Sequence, residues 1–237
     1  MARTIVVTQS NYLPWRGWFD MLRQCDGLVL LDSVQFTRRD WRNRNRIKTA
    51  QGPAWLTVPV EVKGRYHQAV DETRIQAPGW AEAHLRSIAL AYARAPHFSE
   101  VFPWLEREIL AVGQEELLSR VNESLIRALC ARLGLTLPIT RDGDLLPRSD
   151  LPEMESSERL AALTHAMGGT RYISGPAAKA YLDPEPFTRR GIEVAWMDYS
   201  GYPAYPQLWG DFEPAVSVVD LLLNVGDAAS GLIGRPD

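Results

Sequence analysis

Two short apolar runs, separated by a segment of helix length, constrain this chain most. Thr4-Ile5-Val6-Val7-Thr8 is β-branched and unbroken, the pattern of a strand buried on both faces. Gly27-Leu28-Val29-Leu30-Leu31 repeats it. Between them, residues 14–24 set Trp15, Trp18, Phe19 and Leu22 at helical spacing, and Pro14 suits a first helical turn. Strand, helix and strand within about thirty residues is the size of one crossover unit, which predicts parallel neighbouring strands. Both strands then end at the same edge of a sheet.

Each strand leads into a polar segment. The first runs into Gln9-Ser10-Asn11-Tyr12, the second into Asp32-Ser33-Val34-Gln35-Phe36. Residues 38–48 then carry Arg38, Arg39, Arg42, Arg44, Arg46 and Lys48 against one acid, Asp40. Ligands of open α/β sheets bind outside the carboxyl ends of the strands. We therefore expect one cavity here for a substrate bearing negative charge. Asp32 is the expected general base or amine anchor, with Gln9 and Tyr12 beside it as catalytic groups. Asn11, Trp15 and Gln35 would orient the substrate. Trp41 would stack on a ring, and Asn43, Arg44, Arg46 and Lys48 would hold phosphate or carboxylate. Each feature has a plainer alternative: a structural turn, a carboxylate paired with a nearby arginine, a solvated charged face.

The rest of the chain alternates strands with helices, so the expected fold is α/β, a mainly parallel sheet with helices on its faces. Residues 54–62 read as an edge strand broken by Pro59, and residues 71–75 as a further short one. Residues 79–94, 98–113 and 114–133 read as three helices, a helical middle segment at about 79–134 within one domain of 237 residues. Strands are expected at 135–140, 171–175 and 192–197, and helices at 155–167, with serine caps, and 216–224, with residues 226–237 fraying. Ser174 ends a strand, where a hydroxyl can hold an anion; no G-x-S-x-G elbow surrounds it. The loop Tyr199-Ser200-Gly201-Tyr202-Pro203-Ala204-Tyr205-Pro206-Gln207 is expected to close over the cavity, with Tyr205 and Gln207 pointing in. Asp220 and Asn224 stand four apart on an otherwise apolar helix, hence on one face, supporting the cavity or bridging to an arginine.

A net charge of -3 excludes a general nucleic-acid coat and confines any basic surface to residues 38–48. Four histidines fall in no metal spacing and read as surface or satisfied core groups; no metal is expected and no cofactor is indicated. Cys25 and Cys130 read as free buried thiols, which suits a reducing cytoplasm. No signal peptide and no membrane span are expected.

Gln9-Ser10-Asn11-Tyr12-Leu13-Pro14-Trp15-Arg16-Gly17-Trp18-Phe19 resembles the opening signature of the WbqC-like protein family. Asp32-Ser33-Val34-Gln35-Phe36 with Trp41, Asn43, Arg44 and Ile47 continues it. Tyr172-Ile173-Ser174-Gly175, Gly191-Ile192-Glu193-Val194, residues 198–207 and residues 217–226 extend the likeness to the far end. Ser10 stands where many members have proline, and Trp18 where tyrosine is frequent. Members accompany polysaccharide (O-antigen-type) and natural-product biosynthesis genes. The resemblance thus implies a biosynthetic enzyme acting on an amino sugar or other small amine. The expected reaction is transfer of an acyl or aminoacyl group to the amine of a small or nucleotide-linked substrate, from a carrier or a tRNA. A weaker likeness is to HIGH-motif nucleotidyltransferases, which share the strand, polar turn and helix; the paired histidines are absent between Gln9 and Gly17. A non-catalytic module that binds substrate or RNA is the third possibility.

Overall fold

A computed structural model describes residues 2–235. In chain order the elements are β1 (Thr4–Thr8), α1 (Arg16–Arg23), β2 (Gly27–Leu30), β3 (Arg44–Thr49), β4 (Gly52–Thr57), α2 (Trp80–Tyr92), α3 (Phe98–Ala111), α4 (Leu118–Arg132), β5 (Ile139–Arg141), α5 (Ser156–Ala166), β6 (Arg171–Ser174), α6 (Glu185–Thr188), β7 (Glu193–Trp196) and α7 (Val218–Val225). Five strands pair in parallel in the order β5-β2-β1-β6-β7. The chain steps outward from β1 to β2 and β5, then returns to the other side of β1 for β6 and β7. That reversal puts a topological switch point between β1 and β6, the place where doubly wound sheets open a crevice.

Alternation along the strands divides the core in two. Ile5, Val7, Val29, Leu31 and Tyr172 face α5 and α6, meeting Ala161, Leu163 and Phe187. Val6, Leu28, Leu30 and Ile173 face the opposite way, into a larger core with Phe19, Leu22, Ile88, Leu105, Leu125 and Leu222. Both faces are covered, which is why the two founding strands are apolar between the threonines that end β1 and all along β2. The helices α2, α3 and α4 put their buried faces into this same larger core, with α2 packed on β3 and α3 on α7. Both thiols are unpaired; Cys130 is buried and Cys25 half-buried.

Several expectations are corrected. Residues 44–49 form β3, which pairs with β4 from Arg44↔Thr57 to Thr49↔Gly52, so the turn is Ala50-Gln51 and the second strand starts and stops early. Gly52, at φ 106°, closes that turn where a side chain would be strained. Residues 71–75 make only isolated bridges, one from Ile75 to Val60 and one from Arg74 to Leu117. Helix α5 is capped by Glu155, whose carboxylate accepts from the Ser157 and Glu158 amides at 2.8 and 3.2 Å; no serine caps it. Gly226–Leu232 is a 3-10 turn that buries Ala229 and packs Ile233 behind it, so this stretch does not fray; residues 236 and 237 of that expectation lie outside the described residues.

Candidate functional site

The tail of β1 is pinned from three sides. The Ser10 amide donates to Asp32 Oδ1 at 2.8 Å, tying the ends of β1 and β2 together. Asn122, on α4, donates to Ser10 Oγ at 3.1 Å and to the Arg42 carbonyl at 2.8 Å. Asn45, on β3, donates to the carbonyls of Tyr12 and Leu13 at 3.2 and 2.8 Å. Arg42 lies across the tail, donating to the Gln9 carbonyl at 3.4 Å and to Asn11 Oδ1, with Asp40 at 3.5 Å on its other side.

This tail separates two hollows. The first, about 300 Å³, is lined by Asn11, Pro14, Trp15, Trp41, Asn45 and Ala215. Its walls are indole faces with amides between them. Trp15 is backed by Tyr199 and Tyr202, ring centres 5.1 and 6.2 Å away, and the Tyr199 hydroxyl lies against Gly175 at the end of β6. The aromatic loop therefore backs one wall of this hollow, Trp15, through Tyr199 and Tyr202.

The second hollow, about 260 Å³, opens at the carboxyl ends of β2 and β5. It gathers Asp32, Asp71, Glu123, Asp142 and Asp144 with Arg120, Arg141 and Arg148; Arg141 is paired with Glu123 and Arg148 with Asp71. Burial pushes the Asp32 carboxyl up to about 7; Asp142 adds to the shift, while Ser10 and Arg42 oppose it. Burial likewise raises Asp71 to about 6, against the pull of Arg148. Asp71 Oδ1 is buried with no hydrogen-bond partner among the described residues. Asp142 is committed, since its Oδ2 accepts from the Ser33 amide and hydroxyl at 3.0 and 2.6 Å. A carboxylate that titrates near neutrality beside an unpaired buried acceptor can bind an amine and take its proton.

The expected residues are thus distributed, not gathered into one cavity. Asn11, Trp15 and Trp41 share the first hollow, and Asp32 lines the second. Tyr12 lies wholly in the core, its hydroxyl 2.8 Å from His84 Nδ1, so it reaches neither hollow. Lys48, Tyr205, Gln207 and Asp220 form a buried network. Asp220 accepts from the Tyr92 and Tyr205 hydroxyls at 2.7 Å each and from Gln207 at 2.8 Å, and Lys48 Nζ donates to Gln207 at 2.8 Å. Burial outweighs those donors and raises the Asp220 carboxyl. Asn224 donates to the Asp220 carbonyl at 2.7 Å. These groups hold the loop to α7, and tyrosines take the place of the expected arginine. Asn43 is buried on the Val58 carbonyl at 2.8 Å. Gln9 and Gln35 are spent on backbone carbonyls, of Gln35 at 3.4 Å and Tyr66 at 2.9 Å. Ser174 is half-buried at the end of β6, across the switch point. Arg44 and Arg46 lie on the outer face of the hairpin, 4.0 and 5.8 Å over the Trp55 ring.

Sequence reasoning missed Asp71, Asp142, Arg120, Arg141 and Arg148. Arg141-Asp142 comes after a strand as Asp32 does, so the same strand-end rule would have found it. Asp71, Arg120 and Arg148 arrive from a 3-10 turn, a helix start and a loop, with no local signal.

A sheet reversing direction beside its first strand, with hollows beside the strand tails at its carboxyl edge, defines a doubly wound α/β protein with a candidate strand-end site. The chain belongs to the WbqC-like protein family, whose model matches residues 9–231. A relative from Mycobacterium tuberculosis, named "Uncharacterized protein Rv1507c", is 46% identical over 227 residues, covering 96% of this chain and 96% of that one. No solved structure matches the chain. Among the described residues, no helix is long and apolar enough to cross a membrane.

Proposed function

We propose that this protein is a biosynthetic transferase of a glycan or natural-product pathway that moves an acyl or aminoacyl group onto an amine. The observation that carries the reading is Asp32, buried, raised to about 7 and lining the same hollow as Asp71, whose buried Oδ1 has no partner among the described residues. An acceptor ammonium is held by Asp71 and gives one proton to Asp32. The free amine attacks the acyl carbonyl carbon; as the C–N bond forms and the bond to the leaving oxygen breaks, Asp32 gives its proton to that oxygen, and its carboxylate then takes the second nitrogen proton, which passes to solvent. Arg120, which has no carboxylate partner among the described residues, supplies a cationic donor for the carbonyl oxygen or for an anionic part of the substrate, while Arg141 is held by Glu123.

The test is amide formation, read by mass spectrometry, from activated aminoacyl esters and amine-bearing nucleotide sugars. Asp32→Asn keeps an acceptor for the Ser10 amide and is expected to lower turnover about 100-fold or more. The wild-type rate is expected to rise with pH through an inflection near 7, following the Asp32 carboxyl. Undiminished turnover in Asp32→Asn sinks the assignment.

A second reading, a nucleotide-binding relative of the HIGH-motif transferases, is favoured by the strand order and its switch point beside β1. It predicts that ATP raises the melting temperature by mass action. A flat response across a nucleotide panel removes it.

A further inference from the structure

We propose that the outer face of the β3–β4 hairpin is a track for single-stranded nucleic acid, whose end enters the Trp15–Trp41 hollow. The proposal rests on the transferase reading only in making that strand the bearer of the acyl group.

Trp41 and Trp55 are 40% and 46% exposed, with ring centres 5.4 Å apart. Large apolar side chains exposed side by side mark a contact surface. The series continues in both directions. Trp41 shares the first hollow with Trp15, and Trp55 shares a further hollow of about 390 Å³ with Trp209. Trp41 and Trp55 thus sit in ring contact on the hairpin, and a hollow shared with Trp15 on one side and one shared with Trp209 on the other extend the aromatic surface beyond it. Guanidiniums accompany them: Arg44 lies 4.0 Å over Trp55, and Arg94 4.7 Å over Trp209. Arg38, Arg39, Arg44 and Arg94 have no carboxylate partner among the described residues; Arg38 and Arg44 donate to backbone carbonyls instead.

Flat aromatic faces beside uncompensated guanidiniums are what a single strand requires, bases stacking on the rings and phosphates meeting the cations. An acidic peptide would use the cations and leave the indole faces unmatched. A duplex keeps its bases stacked on each other and offers none to the rings. Asn11, whose Oδ1 is taken by Arg42, lines the first hollow with its Nδ2 uncommitted among the described residues, a donor for a base edge. Its neighbour Ser10 touches Asp32, so a strand end seated there lies one residue of β1 tail from the second hollow.

The test is fluorescence anisotropy of labelled oligouridine and oligoadenosine titrated with the full chain over a salt series. Both are expected to bind, with a log–log salt slope of about -2 to -3 for three or four neutralised phosphates. Trp41→Ala and Trp55→Ala should each weaken binding about tenfold. Trp55→Phe, which keeps a ring, should restore most of the loss. Charge reversal at Arg38 and Arg39 should flatten the salt slope. These side chains are exposed or half-exposed, and circular dichroism checks that each variant is folded. Absence of binding at low salt, equal affinity for duplex and single strand, affinity indifferent to both tryptophans, or binding of UMP as tight as that of the oligomer would each overturn the proposal. Asp32→Asn should leave RNA affinity unchanged. Intact RNA binding without amide formation would thus sink the transferase reading alone, and amide formation without RNA affinity would sink this one alone.

Discussion

Leu13 holds φ at 42° in the bend between β1 and α1, a left-handed conformation that costs a non-glycine residue about 1–2 kcal/mol. Asn45 holds the bend by donating to the carbonyls on both sides of the Tyr12–Leu13 step. Tyr12 and Leu13 are fully buried, so no water replaces a lost donor. Asn45→Ala is therefore expected to lower unfolding free energy by about 2–4 kcal/mol, the penalty of orphaning two buried acceptors. Asn45→Asp should do more harm, because a carboxylate would face the same two oxygens. Urea denaturation measures both; a loss under about 1 kcal/mol for the alanine variant would show that the bend holds itself. At this scale Asp32 was legible, since a carboxylate directly after an apolar strand has few places to go but the sheet edge. Tyr12 was not. Its phenol comes after a strand just as plausibly, but its partner is His84, distant in sequence. His84 Nε2 donates to the Thr57 carbonyl at 3.1 Å, which leaves Nδ1 to accept from Tyr12.

The hairpin and the aromatic loop show how an element escapes pattern reading. In β3 the buried positions are Asn45, Ile47 and Lys48, two of them polar, so alternation of apolar and polar residues is hidden although the burial is real. Polar groups sit inside because each has a buried partner: backbone carbonyls for Asn45, Gln207 for Lys48. The loop from Tyr199 to Glu213 was legible as ordered, from its tyrosines and prolines, but not the way it is tied down. Tyr205 and Gln207 converge on Asp220, and Gln207 also bonds the backbone of Glu213 at 2.8 and 3.0 Å. Asp220→Ala strips the acceptor from three buried donors at once and is expected to destabilise the protein by about 3–5 kcal/mol. Gln207→Ala should be milder globally and instead release the loop. Amide hydrogen exchange at Glu213 should quicken while β1 and β2 stay protected. Uniform quickening across the chain would show that this network belongs to the core, not to the loop.

Across the whole molecule, two buried ionisable groups set opposing slopes of stability with pH. Burial lowers the His84 imidazole from 6.5 to about 4, so the fold favours its neutral form. Its stabilising contribution is complete above pH 6.5 and is lost as pH falls towards 4. A shift of about 2.5 units corresponds to about 3 kcal/mol. Asp32 runs the other way. Its carboxyl rises from 3.8 to about 7, so the fold favours the protonated form and stability declines as pH climbs through that window. A shift of about 3 units corresponds to a loss of about 4 kcal/mol, complete above pH 7. Together they nearly cancel between pH 4 and 7, and the wild type should show little slope from this pair. Asp32→Asn removes one side of the balance. The variant should match the wild type in stability near pH 4 and exceed it increasingly up to pH 8. Arg42 and Asp142, which face Asp32, are present in both proteins and drop out of the difference. Thermal melts of the two proteins at pH 4, 6 and 8 read the result directly. A stability difference that does not change with pH would mean that Asp32 is ionised throughout, and it would lose the proton affinity that a general base in this hollow requires. A widening difference accompanied by lost turnover would mark Asp32 as a residue kept for chemistry at the expense of the fold.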